Sequence, residues 1–166
     1  MPTQPRPDQL DSPMIPKVMK YAGKAHVRVY RLTRGRIGGK WRIGAGWKKP
    51  VPTLLLDHVG RKSGRAFTTP LLYLVDGPDV VIVASQGGLP KNPQWYANLV
   101  AAPDTRVQIK GEVRAVRART ADADERAALW PKLVELYADF DNYQAWTERE
   151  IPVVVLSRRD GSDQPG

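Results

Sequence analysis

Apolar side chains recur at steps of three and four over residues 15–32: Ile15, Val18, Met19, Ala22, Ala25, Val29 and Leu32. That is the period of one helical face. Lys17, Lys20, Lys24, Arg28, Arg31 and Arg34 fill much of the remainder, so the spacing predicts a basic amphipathic helix. Ser12 followed by Pro13 suits its start, because serine caps orphan amides and proline fits the first turn. Gly35, Gly38 and Gly39 suit its end. The stripe can pack on a core or lie among acidic lipid head groups, and the pattern by itself leaves both open.

Residues 35–50 are rich in glycine and cations, carry Trp41 and Trp47, and read as a loop with room for one short strand. The period then changes to two, with short apolar runs. Residues 51–57 predict a strand, residues 68–75 its hairpin partner across the turn 60–64, and residues 80–84 a third strand after Asp76-Gly77-Pro78. Asn92-Pro93 opens a short helix that ends before Pro103. Residues 106–110 and 113–119 predict a hairpin around Gly111. Residues 122–138 predict a helix with acid at its start, as the macrodipole prefers, and with Pro131 placed to disturb or break it. A further helical piece holds Tyr143 and Trp146, and residues 151–156 form the last strand. About six antiparallel strands with helices between hairpins predict a mainly β chain with helical additions (α+β), closed or partly closed into a barrel. The pattern divides the chain into a mobile arm at 1–11, one folded unit over 12–158 and a polar tail at 159–166.

Composition narrows the chemistry. Hydrophobic residues make up 42% of the chain, enough for a core. Cysteine is absent, which removes disulfides, thiolate nucleophiles and cysteine-held metal centres. His26 and His58 lie far apart, so no histidine-rich metal site is expected. Neither a signal peptide nor a run long enough to cross a bilayer is evident, and a cytoplasmic protein is expected.

Charge adds a partner class. The chain carries a net +9, and the excess is one-sided: residues 1–65 hold 15 basic and 3 acidic side chains, whereas residues 66–166 have an acidic excess. Such an asymmetry attracts nucleic acid, an anionic membrane or a polyanionic small molecule. No helix-turn-helix, zinc-finger or RNA-binding signature is present, so a non-catalytic basic module for nucleic acid or membrane rests on charge alone.

Three segments could carry chemistry. Gly60-Arg61-Lys62-Ser63-Gly64-Arg65 lies between two strands and offers amides, a hydroxyl and cations to a phosphate. It lacks the glycine spacing of a Walker loop. Ala84-Ser85-Gln86-Gly87-Gly88 ends an apolar strand, and the next helix begins with Lys91 and Asn92-Pro93-Gln94-Trp95-Tyr96, where amides and a cation suit an anion. Ser85 has no neighbouring base, so hydrolysis is not indicated. The aromatic set Trp130, Tyr137, Phe140, Tyr143 and Trp146 suits core packing, and its tyrosines also suit an acceptor pocket with hydroxyl donors.

In this order and spacing the segments, together with Pro70-Leu71, Val107-Gln108-Ile109-Lys110 and the stretch from Trp146-Thr147 to Ile151-Pro152, resemble the actinobacterial family of deazaflavin-dependent nitroreductases and quinone reductases that use reduced coenzyme F420. The resemblance runs from about residue 12 to 152. It implies a split β-barrel of the flavin/deazaflavin-reductase kind, preceded by the amphipathic helix. It also implies that Arg61, Lys62 and Ser63 hold the cofactor phosphate, that Pro70 and Leu71 lie by its ring system, and that Phe67, Thr68, Thr69 and Leu72 bind the cofactor as well. Val83, Ala84, Ser85 and Gln86 would line the groove, with Lys91, Gln94, Trp95, Tyr96, Ala97 and Asn98 beyond them and Phe140 opposite. Phe67, Gln86 and Gln94 stand where a family nitroreductase has arginine, lysine and methionine, and Leu72 and Phe140 replace two of its pocket tyrosines. Tyr137 and Tyr143 are kept.

The implied reaction is hydride transfer from the reduced deazaflavin to a quinone or other electron-poor acceptor, a nitroaromatic or an enone. Ser85, Tyr137 and Tyr143 are the candidates to hydrogen-bond the acceptor oxygen. FMN is the alternative cofactor, since it too presents a tricyclic ring and a phosphate. A quinone acceptor and the basic helix together suggest peripheral contact with an anionic membrane.

Overall fold

The computed structural model describes residues 5–6, 15–41 and 49–159. The Ser12-Pro13 helix start, Trp47, most of the expected arm and the tail beyond 159 lie outside the described residues, as do the side chains of Ile15, Lys17, Val18 and Met19. In chain order the elements are α1 (Ile15–Thr33), β1 (Lys40–Trp41), β2 (Val51–Val59), β3 (Ala66–Leu72), β4 (Leu74–Asp76) and β5 (Asp79–Val83). A single 3-10 turn at Gln86–Gly88 precedes α2 (Gln94–Ala101), β6 (Asp104–Ile109) and β7 (Glu112–Thr120). The chain ends with α3 (Ala123–Leu136), α4 (Asp139–Ala145) and β8 (Val153–Arg158).

All strand pairings are antiparallel, in the order β1-β2-β6-β7-β8-β5-β4, with β3 on the other edge of β2. The expected single strand over 68–75 is two strands. β3 pairs with β2 and β4 with β5, and the chain changes partner at Tyr73, whose amide bonds the Pro52 carbonyl at 3.2 Å. This change of partner links the two ends of the sheet and makes it a split barrel.

Alternation along the strands feeds two cores. Leu54 and Leu56 of β2, Val80 and Ile82 of β5, and Val154 and Leu156 of β8 pack inside the barrel with Trp95 and Leu99 of α2. Val81, Val83, Val153 and Val155 pack on the opposite side with Leu129 and Leu133 of α3 and Phe140 of α4. Because both faces of β5 and β8 are covered, their sequences read as unbroken apolar runs.

Two helices differ from expectation. α3 runs unbroken through Pro131, from the Asp122 cap that accepts the Glu125 amide at 2.8 Å to Leu136. An interior proline costs about 3 kcal/mol. Burying Leu129 and Leu133, which are 3% and 1% exposed, returns roughly 1.5–3 kcal/mol each. The carbonyl freed by Pro131 belongs to Ala127 on the exposed face, where water can reach it. α1 seats a different stripe from the expected one. Val27 and Tyr30 pack on Leu55 of β2, while Ala22, Ala25, Val29 and Leu32 face out. Tyr30 is fully buried and fixes this choice: its hydroxyl donates to the Thr53 carbonyl at 2.9 Å and accepts from the Lys110 amide at 2.8 Å.

Candidate active site

Among the described residues, β3 pairs with β2 alone. Beside it, a cavity of about 490 Å³ separates β3 from the segment that leaves β5. Thr69, Pro70, Leu71 and Leu72 form one wall, and Val83, Ser85, Gln86, Gly87 and Leu89 form the facing one. Pro93, at the N-cap of α2, and Trp95 of α2 close one end, and Tyr137, Phe140 and Tyr143 stand across from them. Four consecutive β3 residues line the space, as expected where a ligand meets a strand edge-on. An edge strand presents unpaired backbone groups, and Pro70 is tolerated there because an edge can spare an amide.

The turn 60–65 is tied to this cavity by a chain of side chains. The Arg61 guanidinium donates to Gln94 Oε1 at 2.8 Å and to Asn98 Oδ1 at 3.2 Å, and the Arg61 amide bonds Asn98 Oδ1 as well. Asn98 Nδ2 donates to His58 Nδ1 at 3.0 Å, and His58 Nε2–H donates to Thr69 Oγ1 at 2.9 Å. His58 and Asn98 are buried. Burial pushes the His58 pKa below its ordinary value, against a smaller opposing pull from Asp57, so the imidazole is neutral and the chain of donors is continuous. Lys62, Ser63 and Lys91 are exposed beside it.

The facing wall is shaped by Arg149. Its guanidinium donates to the carbonyls of Ser85 at 2.7 Å, Leu89 at 3.0 Å and Ala84 at 3.2 Å, and to Asn92 Oδ1 at 2.8 Å. Gly88, at φ +76°, lies so close to α4 that a Cβ there would sit 2.8 Å from the Tyr143 carbonyl. This close approach holds the 3-10 turn against the tyrosines. The Ser85 side chain caps nothing in that turn. Tyr137 and Tyr143 hydroxyls lie 3.3 Å apart. Burial raises the Tyr143 pKa most, the Tyr137 bond lowers it and Asp139 raises it further, so the phenol remains a proton-bearing donor.

These walls and cations fit a flat ring carrying a phosphate. The family model described as F420H(2)-dependent quinone reductase matches residues 22–158. The chain belongs to that family. An F420H(2)-dependent quinone reductase of Mycobacterium tuberculosis is 41% identical over 139 residues, which cover 82% of this chain and 89% of the relative. A second protein of that organism, provisionally named for the same activity, is 58% identical over 118 residues, covering 71% of this chain and 99% of the relative. The solved structure of an F420-H2 dependent reductase superposes with a TM-score of 0.59 at 36% identity, covering 64% of this chain and 94% of the other. The fold is the split β-barrel of the deazaflavin reductases, the enzyme is an oxidoreductase that reduces quinones with F420H(2), and its cofactor is coenzyme F420, with FMN only the alternative.

The residues expected at this reductase's site separate into three groups. Thr69 to Leu72, Val83, Ser85, Gln86, Trp95, Tyr137, Phe140 and Tyr143 line the cavity. Arg61, Gln94 and Asn98 form the network beside it. Lys62, Ser63 and Lys91 stand exposed with that network, and the remaining five turn elsewhere. Thr68 bonds Asp57 at 2.7 Å and Arg31 at 2.9 Å on the α1 side. Phe67 stacks on His58 with ring centres 5.5 Å apart. Tyr96 bonds Thr120 at 2.8 Å over a separate cleft, Ala84 is fully buried in the barrel core, and Ala97 is half-buried and outside the cavity lining. Sequence reasoning missed His58 and Arg149, and also His26 and Thr53, which line the same cavity. Period two places His58 on the inward face with Leu54 and Leu56, which was a usable signal. Arg149 had none, because its four partners come from a distant loop.

Proposed function

We propose that coenzyme F420 lies along the free edge of β3 with its phosphate at Arg61, Lys62 and Ser63 and its ring between Pro70-Leu71-Leu72 and the Val83–Gln86 wall. The observation that carries this reading is the hydrogen-bonded chain Arg61–Asn98–His58–Thr69, which joins the cationic turn to the cavity wall. When bound and reduced, the cofactor supplies a hydride. The chain's own residues bind and orient. Arg61 is held by two acceptors before any phosphate arrives, so little side-chain entropy is lost on binding. The apolar walls exclude water. Ser85, Tyr137 and Tyr143 present hydroxyls to the oxygen of a quinone, nitroaromatic or enone, where a hydrogen bond counts most as negative charge develops.

A titration of the purified protein with oxidised F420, followed by turnover of F420H(2) with a panel of quinones, nitroaromatics and enones, tests the reading. A 1:1 complex and quinone turnover are expected. Tight FMN binding without F420 binding would refute it.

We also propose peripheral membrane contact, from one surface of α1 and the segment after it. Tyr21, Leu32 and Ile37 are 70%, 79% and 61% exposed, beside the exposed cations Lys20, Lys24, Arg28 and Arg36. Apolar side chains among cations are what an anionic leaflet attracts. Leu32→Ser/Ile37→Ser is expected to reduce sedimentation with phosphatidylglycerol vesicles at low salt, and neutral vesicles are expected not to bind. Removing the whole helix is a poorer test, because Tyr30, which belongs to it, would be lost from its seat on β2.

A further inference from the structure

At the end of β2 remote from the turn 60–65, a cleft of about 830 Å³ opens between the segment after α1 and the β6–β7 turn. Thr53 and Val59 are six residues apart on β2, so the two cationic regions are about 20 Å apart at the rise of a strand. Arg34, Arg36, Lys40 and Lys110 line the cleft, and among the described residues no carboxylate does. None of the four makes an ion pair among the described residues. The nearest acid along the chain from Lys110, Glu112, is committed to Arg114 and Arg158.

The cations are brought together by construction. Gly35 has φ +75°, and a Cβ there would lie 2.8 Å from the Lys110 backbone. Only glycine lets the end of α1 meet the β6–β7 turn so closely. The floor of the cleft supplies a second, independent observation. Thr53 stands between this cleft and the cavity beside β3 and lines both; it is 3% exposed, and its hydroxyl has no hydrogen-bond partner among the described residues. A buried hydroxyl is normally satisfied, and one left over beside four cations that make no ion pair among the described residues suits an anion's oxygen.

We propose that this cleft is an anion site distinct from the turn 60–65, and that it takes a phosphate group held by Arg34, Arg36, Lys40 and Lys110 over the Thr53 hydroxyl. The cleft shares Thr53 with the cavity beside β3 and Arg36 with the membrane-facing surface, but the inference needs neither the cofactor's position nor vesicle binding to hold. The phosphate can come from an anionic lipid head group, since exposed Leu32 and Ile37 flank the opening, or from a soluble phosphate ester.

The test uses the full chain carrying Arg61→Ala and Lys62→Ala, so that the other turn is silenced. Calorimetric titration with inorganic pyrophosphate is expected to show one site, weakened at least tenfold by Arg36→Ala/Lys40→Ala, two exposed positions whose loss leaves the fold intact. Thr53→Val keeps the shape and removes the hydroxyl. It is expected to weaken pyrophosphate severalfold while raising the melting temperature of the ligand-free protein, an opposition that a purely structural threonine would not give. Competition by glycerol 3-phosphate together with variant-sensitive binding to phosphatidic acid vesicles identifies the lipid source. Competition without vesicle binding identifies the soluble one. Pyrophosphate binding that is absent, or that is indifferent to Arg36→Ala/Lys40→Ala, overturns the proposal.

Discussion

The side-chain amide of Asn98 donates to His58 Nδ1 at 3.0 Å, which requires the histidine to be unprotonated at that nitrogen. The same amide's oxygen receives Arg61, so one asparagine reports the charge of a buried histidine to an exposed cation. Burial holds the His58 pKa below the usual 6.5, and the unfolded chain therefore takes up the proton first. The stability this group contributes is present in full above about pH 6.5 and is lost as the pH falls through the folded-state pKa. Denaturant unfolding at pH 7.5 and 5 is expected to show a loss that His58→Gln removes. Over the same interval F420 affinity is expected to weaken in the wild type, because a protonated imidazole repels the Asn98 amide and releases Arg61.

Replacing both Arg61 and Lys62 by alanine is expected to weaken F420 binding by about 2–4 kcal/mol, the strength of one or two charge-assisted bonds. Fluorescence titration of the deazaflavin reads this directly. An unchanged affinity in the folded double variant would remove the phosphate from that turn.

Arg149→Ala leaves the carbonyls of Ala84, Ser85 and Leu89 without their donor. It is expected to cost about 2–3 kcal/mol of stability, the range for a lost charged hydrogen bond with its partners unmet. KM for the acceptor is also expected to rise, since the wall that carries Ser85 and Gln86 loosens. A KM unaltered at temperatures where the variant is folded would confine Arg149 to stability.

Ser85→Ala and Tyr143→Phe are expected to lower kcat for quinone by about tenfold each while changing F420 affinity little, because a developing charge amplifies a hydrogen bond worth on the order of 1 kcal/mol in the ground state. Neither hydroxyl is a structural cap: Ser85 caps nothing in its turn, and among the described residues the Tyr143 hydroxyl bonds that of Tyr137. With its pKa raised by burial, Tyr143 is also expected to move any alkaline decline in kcat above the pH at which a free tyrosine ionises. A serine variant that loses cofactor but turns over normally when saturated assigns Ser85 to the cofactor instead.

Sequence alone determined the elements and most of the groove. Period-two runs at 51–57 and 80–84 and the Asn92-Pro93 helix start survive almost unshifted, because strand alternation and helix-start chemistry act within a few residues. The motif order that marks the family lies in the same segments. Tertiary structure decided what depends on packing against distant residues. Tyr73 divides one apolar run into two strands because each half meets a different partner. Pro131 stays inside α3 because Leu129 and Leu133 are buried beneath it. Along α1 two stripes were available, and Tyr30 selected the seated one through bonds to Thr53 and Lys110, which are 23 and 80 residues away. Arg149 reaches back some 60 residues to the Ala84–Asn92 loop. A single side chain with partners that remote leaves no period in the sequence, and only the folded chain assigns it.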